Sequence, residues 1–571
     1  MKQDKPQGKP ILFDSTRLEG NIMTELISRR DLFKFGGVAA AALAGGSALA
    51  GCSKPASQRE ADIAQADFNG EATTAAGHAR DGLPQFFAQP KPITDIRQEL
   101  DFDLVVIGAG APGVPCALAA HEAGAHVALL QKEDKANAHG NSGSGIDLAT
   151  SDEADVENLV SLLMVESQHR ANRDLIEMWA KNSGEAVSWV IAKAQEAGAQ
   201  VIDQGNAQHM PLKNRKGYNI NFVTSYFGPK PYTTGDGMQA LADLAAKEGV
   251  EVFYRTPAQQ LVQDSTGKVT GVIAQNPDEG YTQFNAKNIV IASGDYQSDR
   301  AMLEYYLPDM TNFDPKQTGR TGDGHKMAVW AGGAIENIGH THMLHDFDAG
   351  PASMCDMPFM RVKNSTGKRF CSEDVEMSLM NNYTRSAEDR GHYCQIFDSA
   401  YMDKAANFPG KLVDPESLRV YMPAENVERQ GVFAGQINTW KADTLEELAD
   451  RLEIADVDAF VASVGRWNDL VAAGKDSDFG LPANYLTSID TPPFYGIHRR
   501  VRMSAICSGI EVNSELQCVK PDGSVIEGLY AIGNAAGGFY GGIDYPLTVF
   551  GVNLGRNYTQ GYVIGKKLGS L

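Results

Sequence analysis

The chain runs to 571 residues, 43% of them hydrophobic and 22% charged, enough apolar mass to bury a large core and to fold as more than one domain. Its formal net charge of −21 excludes a general nucleic-acid-binding or anionic-membrane surface and is compatible with a basic protein partner. Seven cysteines occur without a C-x-x-C or C-x-x-C-H spacing, so no attached c-type haem, no ordinary iron–sulfur run and no metal site is legible.

The N-terminal segment reads as a targeting signal. Arg29 and Arg30 precede a mild apolar stretch, 35–49, that is too short and too rich in Gly and Ala to span a bilayer. The pattern resembles a twin-arginine export signal, which carries proteins across already folded. It ends at Leu49-Ala50-Gly51-Cys52, which resembles a lipoprotein cleavage box with Cys52 as the lipid-bearing membrane contact. Ala48-Leu49-Ala50 reads equally as a plain cleavage site. Residues 1–52 are therefore assigned to the signal, and residues 53–100, without sustained periodicity, to a flexible linker.

Residues 104–132 read as strand, glycine turn, helix and strand. The apolar run 104–107 stops at Gly108, Gly110 and Gly113, spaced G-x-G-x-x-G, and a second strand over 127–130 ends about 20 residues on. Gly108 permits a tight turn, Gly110 lets a pyrophosphate approach the backbone beside Ala111, and Gly113 lets the helix pack on the strand with its N-terminus facing the anion. This predicts a dinucleotide-binding unit. The second strand ends in Gln131, before Lys132, where an acidic residue usually accepts the ribose hydroxyl; Gln131 can bond that hydroxyl without charge.

The small-residue stretch 139–145 is expected to be a loop whose backbone lies against a flat ring system, through Gly140, Asn141 and Ser142. Helical spacing follows over 155–164 and 174–197, and a helix over 238–248. Strands are expected around 250–254, 260–264, 269–275 and 287–292, the last ending at Ser293-Gly294-Asp295-Tyr296. From 344 to 497 the composition is mixed, with amphipathic helices at 445–452 and 457–472.

Taken in order, the glycine fingerprint, Gly140-Asn141-Ser142, Ser293-Gly294-Asp295-Tyr296, Thr321-Gly322-Asp323-Gly324 and the run from Gly528 to Gly533-Asn534 resemble the fumarate reductase and succinate dehydrogenase flavoprotein superfamily. That superfamily also holds urocanate reductases and 3-ketosteroid dehydrogenases. The resemblance implies FAD as cofactor. It implies an α/β fold in which a Rossmann-like FAD-binding domain, residues 101–343 and 498–571, carries an inserted α+β cap domain, residues 344–497. It places Ala258 near the adenine and Gly533 and Asn534 near the ribitol chain, with Gly294, Asp295, Asn553 and Leu554 also on the cofactor. Asn534 stands where the family usually has an acid.

In fumarate reductases an arginine four residues after the position of Glu373 protonates the substrate; here that residue is Met377. The family's paired histidines fall in 503–509, which has none, and the clamping arginine after Gly537-Gly538 is missing. A dicarboxylate needs paired positive donors to offset the desolvation of its charges, which makes fumarate or succinate an unexpected substrate. Tyr545-Pro546 followed by Gly551-Val552-Asn553-Leu554-Gly555 instead resembles the Tyr-Pro and Gly-x-Thr-Leu-Gly pair of 3-ketosteroid dehydrogenases, with a gap two residues longer. There the tyrosine and a glycine amide hold the ketone of an enone, which implies that Tyr545 stabilises an enolate.

Asp544 could relay a proton through Tyr545, His345 could serve the substrate or a proton path beside His340 and His342, and Tyr226 could line the pocket. Arg369 is read as structural. The expectation is an exported FAD-dependent reductase of an activated, conjugated C=C bond in a small-molecule carbonyl acceptor, with hydride from flavin N5 and electrons from a cytochrome or quinol-linked protein. A 3-ketosteroid-like dehydrogenase and a flavin electron-transfer protein without its own substrate remain alternatives.

Overall fold

The computed structural model describes residues 82–571 except 141, 207–216, 229–231, 277–279, 337–338, 346–356, 376–378, 380, 407, 409–417, 420, 427–438, 544 and 546–547. The export signal, Asn141, Met377 and Asp544 lie outside the described residues.

In chain order the elements that frame the site are β1 (Ile96–Ile107), α1 (Gly113–Glu122), β2 (Val127–Leu130), β3 (Ser142–Ile146), α2 (Glu153–Glu166), α3 (Arg173–Glu196), β4 (Val201–Asp203), β5 (Phe222–Phe227), α4 (Thr234–Glu248), β6 (Glu251–Phe253), β7 (Ala258–Gln263), β8 (Val269–Asn276), β9 (Gly280–Ile291), α5 (Asp323–Trp330) and β10 (His342–His345). They continue with β11 (Met360–Val362), β12 (His392–Asp398), β13 (Thr439–Ala442), α6 (Leu445–Arg451), α7 (Val457–Ala473), β14 (Phe494–Arg500), β15 (Arg502–Ile506), β16 (Gln517–Val519), β17 (Val525–Ala531) and α8 (Val552–Gly569).

The main sheet has the order β16-β17-β9-β1-β2-β6, with β17, β9, β1, β2 and β6 parallel. Its central strands are near-continuous apolar runs because both faces are covered. β9 is long enough to pair twice on one edge: its first half takes the antiparallel β8 and its last residues take β17. β2 and β9 flank β1 on opposite sides, so a crevice opens beyond the carboxyl ends of β1 and β9, where such sheets bind ligands. α8 packs along α1 through small residues: a Cβ on Gly561 would lie 2.3 Å from Pro112 O and one on Gly565 would lie 2.4 Å from Cys116 O.

A separate antiparallel sheet, β11-β12-β14-β13, carries α6 and α7 around its own core of Ile396, Leu448, Phe460 and Trp467. Arg369 ties this unit together, the structural role that the family resemblance implies for it. It pairs with Glu373 and, at 2.7 Å, with Asp476, and its guanidinium carbon lies 4.7 Å from the centre of the Trp467 ring.

Three expectations change. The linker expected through residue 100 is ordered structure at its end: Phe87 is buried, Trp330 Nε1 donates to Phe87 O at 3.0 Å, and β1 already begins at Ile96 because β9 offers it a partner along its full length. The boundary expected at 497 falls inside β14, which runs to Arg500 as the central strand of the smaller sheet. The small-residue loop expected over 139–145 becomes strand from Ser142 onward, paired with β5. Its glycines serve packing, since a Cβ on Gly143 would strike the Tyr558 ring at 2.4 Å and one on Gly145 would strike Ser183 O at 2.2 Å.

Candidate active site

The turn between β1 and α1 closes on backbone alone. Gly108 N donates to Leu130 O at 2.7 Å and Ala292 N donates to Ile107 O at 2.9 Å, fixing the strand ends. A Cβ on Gly113 would sit 1.8 Å from Gly108 O, so only glycine lets the helix start there. Ala111 is buried behind the turn. Gly533 has its amide held by Gln560 Oε1 at 2.7 Å, and a Cβ on it would lie 2.5 Å from Pro112 Cγ. A Cβ on Gly140 would likewise meet Leu554 Cδ1 at 2.8 Å. The glycine turn, Gly140, Gly533 and Leu554 at the start of α8 are therefore brought together around one crevice.

The residues expected at the adenine end also meet. Gln131 N donates to Phe253 O at 2.8 Å and accepts, through its own carbonyl, Thr256 N at 2.9 Å, which sets Gln131 beside Ala258 at the head of β7. The Gln131 carboxamide is itself used by the loop: Nε2 donates to Lys135 O at 2.8 Å and Oε1 accepts from Lys132 N at 3.1 Å. Lys132 Nζ lies 2.8 Å from both Thr321 Oγ1 and Asp323 Oδ2. Asp295 is a buried structural tie, accepting from Gln297 N at 3.1 Å and Ile506 N at 3.0 Å, and burial raises its carboxyl above the ordinary range. Gly294, with φ +77°, turns the chain there, and a Cβ on it would meet Arg320 Cδ at 3.1 Å. Ser142 opens β3 opposite Tyr226 on β5.

The third group surrounds the N-terminus of α8. Tyr545 is buried, and its hydroxyl oxygen accepts from Asn553 N at 3.3 Å. Burial pushes the phenol pKa well above its usual value, so Tyr545 keeps its proton as a donor. Its own amide donates to His342 O at 3.2 Å, which anchors it to β10. Tyr540 packs edge-on against Tyr545 with centroids 5.3 Å apart, and its hydroxyl donates to Asn553 Oδ1 at 3.3 Å. Cys507 Sγ donates weakly to the same oxygen at 3.6 Å, its thiol pushed up to about 12 by burial. Asn534 Oδ1 accepts from Arg556 Nη2 at 2.7 Å. His345 lies in β10 opposite Arg502, its side chain outside the described residues, as is Asp544.

Residues 103–545 match the family described as FAD binding domain. The chain belongs to that family. A vinyl phenol reductase of Lactiplantibacillus plantarum is 27% identical over 500 residues, covering 80% of this chain and 96% of that protein. A urocanate reductase of Eggerthella lenta is 25% identical over 456 residues, covering 76% of this chain and 70% of that protein. The open conformation of a flavocytochrome c3 fumarate reductase has the same fold, with a TM-score of 0.66 at 20% identity, covering 87% of this chain and 85% of that one. The cofactor is FAD, and the protein is an FAD-dependent oxidoreductase.

The residues of this flavoprotein fit that cofactor. No side chain caps the N-terminus of α1; Val114 N donates to Gly110 O at 3.1 Å, and the positive end of the helix otherwise faces the crevice with only backbone around it, as an anion site requires. At Gly110 a Cβ would meet nothing nearer than Asn137 O at 3.4 Å. Folding alone thus leaves room for a side chain at Gly110, and the demand for glycine comes from what approaches the backbone from the crevice.

Sequence reasoning missed two groups here, the buried Glu336 and the half-buried Arg385. Glu336 accepts from Gly509 N at 2.9 Å and Gly538 N at 2.7 Å, clamping the segment after β15 to the segment after β17; burial raises its carboxyl. Arg385 comes to 3.4 Å from His342 Nε2 through Nη2 and is paired with Asp309, a cation that enters from a position no family motif marks. Neither carried a motif, and both contacts join residues far apart in the chain.

Proposed function

We propose that this FAD-dependent oxidoreductase is an exported reductase of a carbon–carbon double bond conjugated to a carbonyl, fed with electrons by a separate cytochrome or quinol-linked protein. Bound FAD supplies the hydride for the β-carbon. The observation that carries the reading is the buried, protonated Tyr545 phenol lodged beside the Asn553 amide at the start of α8. Together the phenol and the helix terminus can hold a carbonyl oxygen and stabilise the negative charge that develops on it. Gly108, Gly110, Ala111 and Gly113 would receive the pyrophosphate, Gln131 and Ala258 the adenosine end, and Gly533, Asn534, Asn553 and Leu554 the flavin end. Tyr545 would deliver the proton, Asp544 could relay one through it, and His345 could serve the substrate or a proton path. The relatives named as vinyl phenol and urocanate reductases support a reductase of activated double bonds. The missing arginine and histidines of the fumarate motifs argue against a dicarboxylate. Arg29, Arg30 and Cys52 support export and a lipid anchor.

Anaerobic assays with reduced viologen against enones, cinnamates, urocanate and fumarate test this. Oxidation of the viologen by a conjugated carbonyl acceptor is the expected result, and Tyr545→Phe should lower kcat on that acceptor about 10²-fold to 10³-fold while retaining FAD. Rapid reduction of fumarate would remove the reading of the α8 terminus. Dehydrogenation of a saturated ketone with an acceptor dye, without reduction of any enone, would replace it with the reverse reaction.

A further inference from the structure

The guanidinium of Arg556 is unused in the reading above. Arg556 lies near the start of α8 and is 0% exposed. Its Nη2 donates to Asn534 Oδ1 at 2.7 Å and to Asn553 Oδ1 and Asn557 Oδ1 at 3.3 Å each. Its guanidinium carbon lies 5.3 Å from the ring centres of both Phe539 and Tyr540. Nε and Nη1 are buried without a hydrogen-bond partner, and among the described residues no carboxylate pairs with it.

A buried cation lacking a counter-ion is costly, and neutral amide oxygens and aromatic faces offset only part of that cost. The cost falls whenever a negative charge enters the same cavity. Two of the three amide partners, Asn534 and Asn553, are residues that the family resemblance assigns to the flavin. Asn534 also stands where the family usually has an acid. A carboxylate at that position would sit within bonding distance of Arg556 and cancel its charge; the asparagine leaves the charge uncompensated.

We propose that Arg556 sets the reduction potential of the bound flavin, raising it by stabilising the charge of the reduced form. Taking up two electrons from a reductant and one proton from solvent leaves the isoalloxazine with one more negative charge than the oxidised ring. A fixed cation at close range therefore favours the reduced side. The inference rests on the assignment of FAD and not on the identity of the acceptor.

The test uses the FAD-loaded protein without substrate. The two-electron potential is measured by titration with a low-potential reductant and an indicator dye. In parallel, sulfite is titrated against the oxidised enzyme, because its lone pair bonds to flavin N5 and leaves a comparable negative charge on the ring. Arg556→Gln should weaken sulfite binding roughly tenfold or more, and a tenfold change corresponds to a potential about 30 mV more negative. Arg556→Lys, which keeps the charge, should restore most of both readouts. Asn534→Asp, which leaves the arginine in place and supplies its counter-ion, should shift both in the same direction as Arg556→Gln. Variants that hold FAD weakly are measured with excess FAD present. Unchanged potential and sulfite affinity in Arg556→Gln and Asn534→Asp would overturn the proposal. Because no acceptor is present, failure here leaves the substrate reading untouched, and failure of the acceptor panel leaves Arg556 untouched.

Discussion

The β1–α1 turn and the surroundings of the α8 N-terminus meet at one crevice but are built by opposite means. At the turn, backbone does the work: carbonyls and amides of Gly108, Leu130, Ile107 and Ala292 fix the geometry, and the decisive side chains are absent ones. Around α8, polar side chains do it. Glu336, Asn534, Asn553, Tyr545 and Arg556 each hold another segment in place, and each is buried or nearly so. A backbone site offers few side chains to vary and has no charge to titrate. A side-chain site can be retuned one residue at a time, which suits a family whose members share a cofactor and differ in acceptor.

Alanine at the two glycines separates folding from binding within the first region. Gly113→Ala should have the largest effect, since its Cβ would lie 1.8 Å from a backbone carbonyl that cannot move without displacing β1. On the order of 3 kcal/mol or more of stability should be lost, with FAD released. Calorimetry and the flavin absorbance of the purified protein report both. Gly110→Ala should keep the wild-type melting temperature of the apoprotein and bind FAD at least about tenfold more weakly, because its methyl is accommodated by the fold but stands where a ligand must approach. A Gly110→Ala protein that binds FAD normally would mean that the pyrophosphate does not rest on this turn.

The same contrast explains what could be read from the sequence. The turn was legible because its chemistry is local: three glycines at fixed spacing between two apolar runs state both the fold and the cofactor class. The helices over 445–452 and 457–472 were legible from their periodicity and stand at Leu445–Arg451 and Val457–Ala473. Gly143 and Gly145 were expected in a loop and stand in β3, because a run of small residues carries no period that separates a loop from a strand packed on the Tyr558 side chain and the Ser183 carbonyl. The Glu336 clamp was invisible, since its partners Gly509 and Gly538 lie 173 and 202 residues away. Arg556 fared no better: only the fold brings its guanidinium to Asn534 and against the Phe539 and Tyr540 rings.

The second region should also respond to pH where the first cannot. His340 is buried beside Glu336: Tyr296 Oη donates to its Nδ1 at 2.5 Å, and its Nε2 donates to Glu336 O at 3.3 Å. This pattern uses the neutral imidazole with the proton on Nε2, and burial pulls its pKa down to about 4. The unfolded chain binds the proton near pH 6.5, so the unfolded state holds more protons between that value and about 4. The stability from a neutral His340 is then fully present above pH 6.5 and is lost as pH falls toward 4, about 2 kcal/mol of it between pH 7 and pH 5. His325, buried and likewise pulled down to about 4, acts in the same direction. Glu336, whose carboxyl burial raises, acts in the opposite one, gaining as pH falls. The difference between wild type and His340→Gln isolates the histidine, because Gln can accept from Tyr296 and donate to Glu336 without titrating. Melting temperatures measured at pH 7 and pH 5 should fall further on acidification in the wild type than in His340→Gln; equal falls would show that folding leaves the His340 pKa where the unfolded chain has it.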